Sequence, residues 1–436
     1  MGSVPTVAEK IKLLRLSQNL SQAKLAEIVF STQDTISKIE LGHREYDDQL
    51  LESIKTYFGI QGMPLKEHER AACEERLYLW RDYIRAGDRE SAETIHKEMA
   101  NIINLEPCDF DIVMLFRLFE AQQLAVQGEY VTAEVKLNLL RSSFDKMSVV
   151  NRYHYYSNMG YLCVCLKRYE EGLEFHEKAL YLKKDNGNFL PEDDDRLYYN
   201  LVICNTNLQF PYQAISYSYK IRELYTEDRR NGYGLHLYHD RIINYIHVNQ
   251  FSDVKRLLDI CFIKSQSLND DALIGKTLFF YGRMYKKVNN WRAAIEYLDR
   301  ALEYLKKNSD GHKAAVFDKI QCLIKMRTFI KAGKVLTQVQ ETCAGDEVWA
   351  IYFEALKHYL IVSDRMTLYN DQSTKYIETV AIPHFIKHHD YFIAIDFYEL
   401  LEQHYNRLRN DMNSLKMSKS IKEIYARCFF SRNGGN

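Results

Sequence analysis

From Ala92 onward a small residue, or its stand-in, recurs about every 40 positions: Ala92, Ala133, Gly172, Ala214, Val254, Ala294, Ala332, Gln372 and Ser414. The successive separations are 41, 39, 42, 40, 40, 38, 40 and 42 residues. The surroundings repeat too, with an aromatic or turn residue three before each centre and apolar residues four and seven after it. Trp291, Ala294, Leu298 and Ala301, preceded by Gly282 and Tyr285, form the strongest copy, followed by Tyr169, Gly172, His176 and Ala179, preceded by Gly160 and Cys163. A period held over this length means one supersecondary unit used many times. The unit is a helical hairpin: the small residue lets two antiparallel helices cross closely, and the apolar residues fill the seam. A lone hairpin cannot bury that face, so the hairpins stack into an α-solenoid of about eight to nine units over residues 73–436. The 32 tyrosines fit this, since a ring at a helix crossing packs while its hydroxyl reaches the wet edge. Pro191 to Asp195 and Lys306 to Asn308 read as solvated loops between helices. The fold class is all-α.

The first 62 residues do not share the period. Val7 to Ser17 is amphipathic, with Val7, Ile11 and Leu14 on one side. Ser21 can cap a helix running to about Val29, with Leu20 and Leu25 placed as a hydrophobic staple. Thr32 or Ser31 can cap a second helix through about Leu41, with Gly42 at its stop. Ile36 and Ile39 share one face of this helix, while Gln33, Asp34, Ser37 and Lys38 occupy the other. Asp47 to Phe58 closes the small core, and residues 63–72, following Gly62 and including Pro64, read as a linker. An amide can bond N6 and N7 of adenine and a carboxylate can accept from N4 of cytosine, so the polar face suits a DNA major groove. The expected DNA-binding residues are Gln22, Thr32, Gln33, Asp34, Ser37, Lys38 and Arg44.

Leu20, Ser21, Gln22, Leu25, Ala26, Ile36, Ser37, Ile39, Glu40 and Gly42 resemble the phage-repressor type of helix-turn-helix. That resemblance implies that Gln22 and Gln33, each at the start of a helix, orient one another against DNA. Phe30 and Ser31 depart from it, standing where the family has Gly and a small apolar residue in the turn, which puts the angle between the helices in doubt. With the long-period repeats, which resemble tetratricopeptide repeats, the whole chain resembles the RRNPP-type cytoplasmic peptide-pheromone receptors, the group of Rap, Rgg, NprR, PlcR and PrgX. The resemblance implies a cytoplasmic homodimer on a palindromic double-stranded DNA operator, with a short signalling peptide in the groove of the solenoid controlling DNA binding.

An extended peptide needs its backbone N–H and C=O groups satisfied, and a carboxamide does both. The position fourteen before each centre carries Phe119, Asn158, Asn200, Asp240, Phe280 and Asp318, and Asn158 with Asn200 suggest a ladder. Neighbouring positions add Gln122, Tyr161, Tyr199, Asn207, His239, Ile243, Arg283 and Lys287. The last two, four apart, suit a peptide carboxylate. Other chemistry is poorly represented. The net charge of −1 excludes nucleic-acid binding along the whole length, so any DNA contact is local. Nine cysteines without C-x-x-C spacing indicate reduced thiols, and no apolar run reaches membrane-spanning length. His236 with His239, and His384 with His388, have helical spacing but no completing ligands. Phosphate loops, G-x-S-x-G and H-E-x-x-H are absent from the sequence. No cofactor, metal or catalytic residue is expected. The alternatives to a peptide-responsive transcription regulator are a response-regulator phosphatase or sequestering protein of the same superfamily, and a protein-interaction scaffold. The stretch Glu75 to Glu98 lacks a Gln to orient an attacking water, which lowers the phosphatase alternative.

Overall fold

The computed structural model describes residues 11–12, 15–16, 19–41, 43, 48–58, 67–105, 110–184, 189, 191–222, 233–342, 345–364 and 371–430. All regular elements among them are helical, and no described helix is long and apolar enough to cross a membrane. The chain divides into two compact units, residues 1–190 and 191–436.

The first unit contains the head: α1 (Gln22–Ile28), α2 (Gln33–Glu40) and α3 (Asp48–Phe58). The Ser21 hydroxyl caps α1 through Lys24 N–H at 3.1 Å, and the Thr32 hydroxyl caps α2 through Thr35 N–H at 3.2 Å. Ile11, Leu25, Ala26, Ile36, Ile39 and Ile54 form its core. Phe30 takes the left-handed conformation, φ +54°, with Ser31 N–H bonded to the Ala26 carbonyl at 2.8 Å. The α1–α2 turn is therefore closed by the backbone geometry that glycine usually supplies, and the ring is left almost fully exposed. Of the expected first helix, only Ile11, Lys12, Arg15 and Leu16 are described, all helical. Glu40 at the end of α2 is buried and accepts from Arg15 Nε at 2.6 Å, Arg15 Nη2 at 2.9 Å and Gln22 Nε2 at 2.7 Å. Burial pushes the Glu40 carboxyl up, but the bonds from Arg15 and Gln22 outweigh it and hold it below the usual glutamate range.

Three hairpins complete the first unit: α4 (Glu67–Ala86) with α5 (Arg89–Leu105), α6 (Phe110–Val126) with α7 (Tyr130–Leu140), and α8 (Val149–Cys165) with α9 (Tyr169–Lys184). Residues 67–72, expected in a linker, are the first turns of α4. Six hairpins form the second unit. They are α10 (Pro191–Asn207) with α11 (Pro211–Ser218), α12 (Tyr233–His247) with α13 (Phe251–Ser267), α14 (Asp271–Lys287) with α15 (Trp291–Tyr304), and α16 (Asp310–Lys325) with α17 (Phe329–Thr342). After these, α18 (Glu347–Ser363) pairs with α19 (Asp371–Tyr376) and α20 (Ile382–Lys387), joined by a π-helical turn at Ile377–Ala381, and α21 (Tyr391–Arg407) pairs with α22 (Asp411–Phe430). The run from Pro191, read as a loop, is instead the start of α10. Two of its acids are not solvated: Asp193 and Asp195 are buried, and Asp195 accepts from Arg222 N–H at 2.9 Å and Arg222 Nε at 2.7 Å.

The periodic centres are buried at Ala92, Ala133, Gly172, Ala214, Val254, Ala294, Ala332 and Ser414. Gln372 is exposed, and the buried residue of that hairpin is its neighbour Ser373. Crossing distances show why the partner position is small: a methyl group added at Gly282 would lie 2.7 Å from Leu298 Cγ, and one at Gly160 would lie 2.6 Å from the His176 ring. Five residues before each of eight centres stands a left-handed residue: Gly87, Gly128, Lys167, Gln209, Asn249, Asn289, Arg327 and Arg409. In each case the next N–H reaches back to the carbonyl five residues earlier, as from Asn290 to Tyr285 at 2.9 Å. This Schellman closure fixes the turn of every one of these hairpins.

Two outcomes follow for stability. Gly282→Ala should lower the urea midpoint, because overpacking costs roughly 1–3 kcal/mol and exceeds the ~1 kcal/mol gained in helix propensity. Gly333→Ala, with nothing within 4 Å of the added carbon, should raise it. In the head, Glu40→Gln leaves a buried guanidinium without its counter-charge and should cost about 3–5 kcal/mol, seen as lost amide protection in α1 and α2. Because the folded pKa of Glu40 is depressed, its contribution is present above the ordinary glutamate range and is lost as pH falls through the lowered value. Head stability of Glu40→Gln, compared with wild type by urea titration at several pH values, should lack that dependence.

Candidate functional site

The head presents Thr32, Gln33, Asp34 and Lys38 to solvent on one side of α2, with Ser37 half-buried beside them. Lys38 Nζ pairs with Asp34 Oδ2 at 2.6 Å across one turn, so the carboxylate and the cation are offered together. Gln22 was expected to act with Gln33. Its amide nitrogen donates to the buried Glu40 carboxylate at 2.7 Å, while the side chain remains half-exposed. Arg44 lies outside the described residues.

In the second unit a half-enclosed cavity of ≈ 260 Å³ opens on the first helices of three successive hairpins. It is lined by Ile243, Ile246 and His247 from α12, by Arg283, Lys286 and Lys287 from α14, and by Asp318, Gln321 and Lys325 from α16. Gln209, Trp291, Asp390, Phe392, Asp396, Glu399 and Tyr425 complete the wall. The repeat arithmetic is plain: Ile243, Arg283 and Gln321 stand eleven before their centres, and His247, Lys287 and Lys325 stand seven before. Of the expected peptide residues, Ile243, Arg283 and Lys287 are thus brought together. The signal for the others was the same periodicity read one and two turns further along the helix, where the residue types vary too much to look like a ladder.

The position fourteen before the centre does different work. Asn158 Nδ2 donates to the Leu118 carbonyl at 2.8 Å, in the preceding hairpin. Asp318 accepts from Arg283 Nε at 2.8 Å and Lys286 Nζ at 2.5 Å, also in the preceding hairpin. Asn200 is buried, and its amide nitrogen has no hydrogen-bond partner among the described residues. Asp240 is half-exposed at its surface, yet burial pushes its carboxyl up to about 6. Nearby, His239 is buried with Nε2 2.9 Å from the Thr277 hydroxyl, Gln122 and Tyr199 are buried, and Tyr161 is half-buried. Asn207 is exposed and donates to the Ile203 carbonyl of its own helix at 2.8 Å. Apart from Asp318, none of these lines the cavity.

Charge inside the cavity is two-sided. Burial opposes ionisation of both Asp318 and Lys286, but their mutual attraction, with Arg283 beside Asp318, holds the carboxyl below and the ammonium above their usual ranges. Lys287 and Lys325 are exposed at the rim. On α21, burial and then the neighbouring Asp396 push the Glu399 carboxyl up. Burial, reinforced by Arg283 and Lys287, keeps the His247 ring well below its ordinary pKa and neutral. The wall therefore offers cations on one side, carboxylates on the other and aromatic rings between them.

Residues 11–61 match the helix-turn-helix family and residues 277–311 match the tetratricopeptide repeat family. The chain is 22% identical over 407 residues to the transcriptional activator NprA of Geobacillus stearothermophilus, covering 87% of this chain and 97% of that protein. Among solved structures, it resembles NprR in complex with its cognate peptide NprX, with TM-score 0.62 and 19% identity over 81% of this chain and 98% of that one. It also resembles a Rap protein complexed with competence and sporulation factor, with TM-score 0.65 and 15% identity over 82% and 99%. The chain thus carries a helix-turn-helix head followed by tetratricopeptide-like repeats, and over most of its length it is similar to the transcriptional activator NprA and shares the fold of NprR and a Rap protein.

Proposed function

We propose that the chain is a peptide-gated transcription regulator that works by binding and not by catalysis. Two heads of a cytoplasmic homodimer contact the half-sites of a palindromic operator, and a short signalling peptide bound to the repeats controls that contact. The observation that carries this reading is the joint presence of an exposed Gln33, Asp34 and Lys38 face on the head and a cavity built from the repeated −11 and −7 positions of the solenoid. At the cavity, Lys287 and Lys325 would receive a peptide carboxylate, since Arg283 is already committed to Asp318.

Weak single heads and a dimer fit one another: linking two modest contacts converts the second into an intramolecular event. The test is a gel shift on the DNA upstream of the chain's own gene and its neighbours, with and without peptides encoded by adjacent short reading frames, alongside size-exclusion chromatography. Gln33→Ala should weaken operator binding by roughly 1–3 kcal/mol and relax specificity at one base pair. Lys38→Ala should mainly lower the salt dependence. A monomer indifferent to all DNA, or one that releases phosphate from a phosphorylated response regulator, would sink the reading in favour of the phosphatase alternative or a scaffold.

A further inference from the structure

The wall of the cavity contains a contact between residues 183 positions apart. Gln209 Oε1 accepts the backbone N–H of Phe392 at 3.0 Å. The Phe392 ring lies on the His247 imidazole, with centroids 3.8 Å apart and planes 9° from parallel. Gln209, His247 and Phe392 all line the same cavity. Beside them Tyr212 meets Phe429 at 5.4 Å, and Phe429 meets Phe392 at 6.1 Å.

The way α21 begins explains how Phe392 comes to be held there. The first turn of a helix has N–H groups without intrahelical partners, and the residue at the N-cap normally takes one of them. Asp390 stands at that N-cap and makes no capping bond; its carboxylate accepts from the Tyr352 hydroxyl instead. The donor of Phe392 is therefore taken up by a side chain from the opposite wall. Gln209 can reach it because the left-handed turn residue, φ +56°, keeps its own N–H on the Thr206 carbonyl at 3.1 Å and leaves its carboxamide to project. His247 adds a flat, neutral ring, held neutral by burial beside Arg283 and Lys287. A carboxamide that accepts a backbone N–H and a flat ring that covers the adjoining aromatic side chain are the two contacts needed to hold one residue of an extended peptide.

We propose that Gln209 and His247 form a subsite for an aromatic residue of a bound peptide, and that Phe392 at the start of α21 fills this subsite as an internal competitor. The proposal rests on the peptide reading above and adds the ligand's class: a peptide presenting an aromatic side chain beside a free backbone N–H. It also accounts for the size of the cavity. The remaining ≈ 260 Å³ lies just under the lower end of ordinary ligand pockets, ~300 Å³, and release of the Phe392 ring enlarges it.

The experiment uses the full chain and, as probe, a fluorescently labelled peptide with the sequence of residues 388–395, His-His-Asp-Tyr-Phe-Ile-Ala-Ile. Phe392→Ala empties the subsite and should bind the probe at least tenfold more tightly than wild type. The same peptide with alanine for its phenylalanine should not bind, and Gln209→Ala combined with Phe392→Ala should abolish the gain. A folded Phe392→Ala chain with no gain overturns the proposal. Should that variant not fold, Gln209→Ala decides by hydrogen exchange and fluorescence. At least tenfold faster exchange of the Phe392 amide, with greater acrylamide quenching of cavity-lining Trp291, supports the subsite, and unchanged values overturn it. A signalling peptide that binds wild type equally well with or without a saturating excess of the 388–395 peptide removes the subsite and leaves the regulator reading intact. Absence of any peptide effect on operator binding removes the reading itself.

Discussion

Everything in the repeat region depends on how closely two helices can approach within one hairpin. At Gly282 and Gly160 the space for even a methyl group is already taken by Leu298 and His176. Such a crossing fixes the angle of each hairpin, and contacts then pass from neighbour to neighbour within each unit. Apolar contact alone would let adjacent hairpins slide. Polar bonds between successive first helices prevent this, with Asn151 bonded to Asp111, Asn158 to Leu118, Asn244 to Thr206, His239 to Thr277, and Arg283 and Lys286 to Asp318. Buried polar groups demand geometry that buried methyl groups do not, so register comes from these bonds and cohesion from the apolar seam.

That division of labour explains what was legible in the amino-acid order. The period, the helical hairpins and the buried centres could be read because close crossing admits few residue types. The lining of the cavity could not be read as easily. Polar residues recurring at one repeat position looked like a ladder for a guest, yet Asn158 and Asp318 bond their own neighbouring hairpins. The cavity lies three and seven residues further on, where Ile243, Arg283 and Gln321, or His247, Lys287 and Lys325, share a place but not a chemistry.

Local composition misled in a second way. Pro191 to Asp195 looks solvated because it is acidic, but Asp195 has a partner 27 positions away in Arg222. Gln22 likewise donates its amide nitrogen to Glu40, 18 positions away, while staying half-exposed. Both contacts escape a reading that judges a charged or amide group by its sequence neighbours when its partner is distant. The shift from Gln372 to Ser373 is of another kind: this hairpin alone carries a π-helical turn among the described residues, at Ile377–Ala381, and a wider turn changes which side chains face inward.

The left-handed residue five before each centre has a further meaning. Its conformation is secured by backbone bonds on either side, so the side chain contributes little to closing the turn. Gly, Lys, Gln, Asn and Arg all occupy it, at a conformational cost of about 1–2 kcal/mol for the residues with a Cβ. In each of these eight hairpins the scaffold thus holds one turn position whose identity can drift without disturbing helix geometry. New recognition can arise there one residue at a time, and the carboxamide of Gln209 shows what such a position can become.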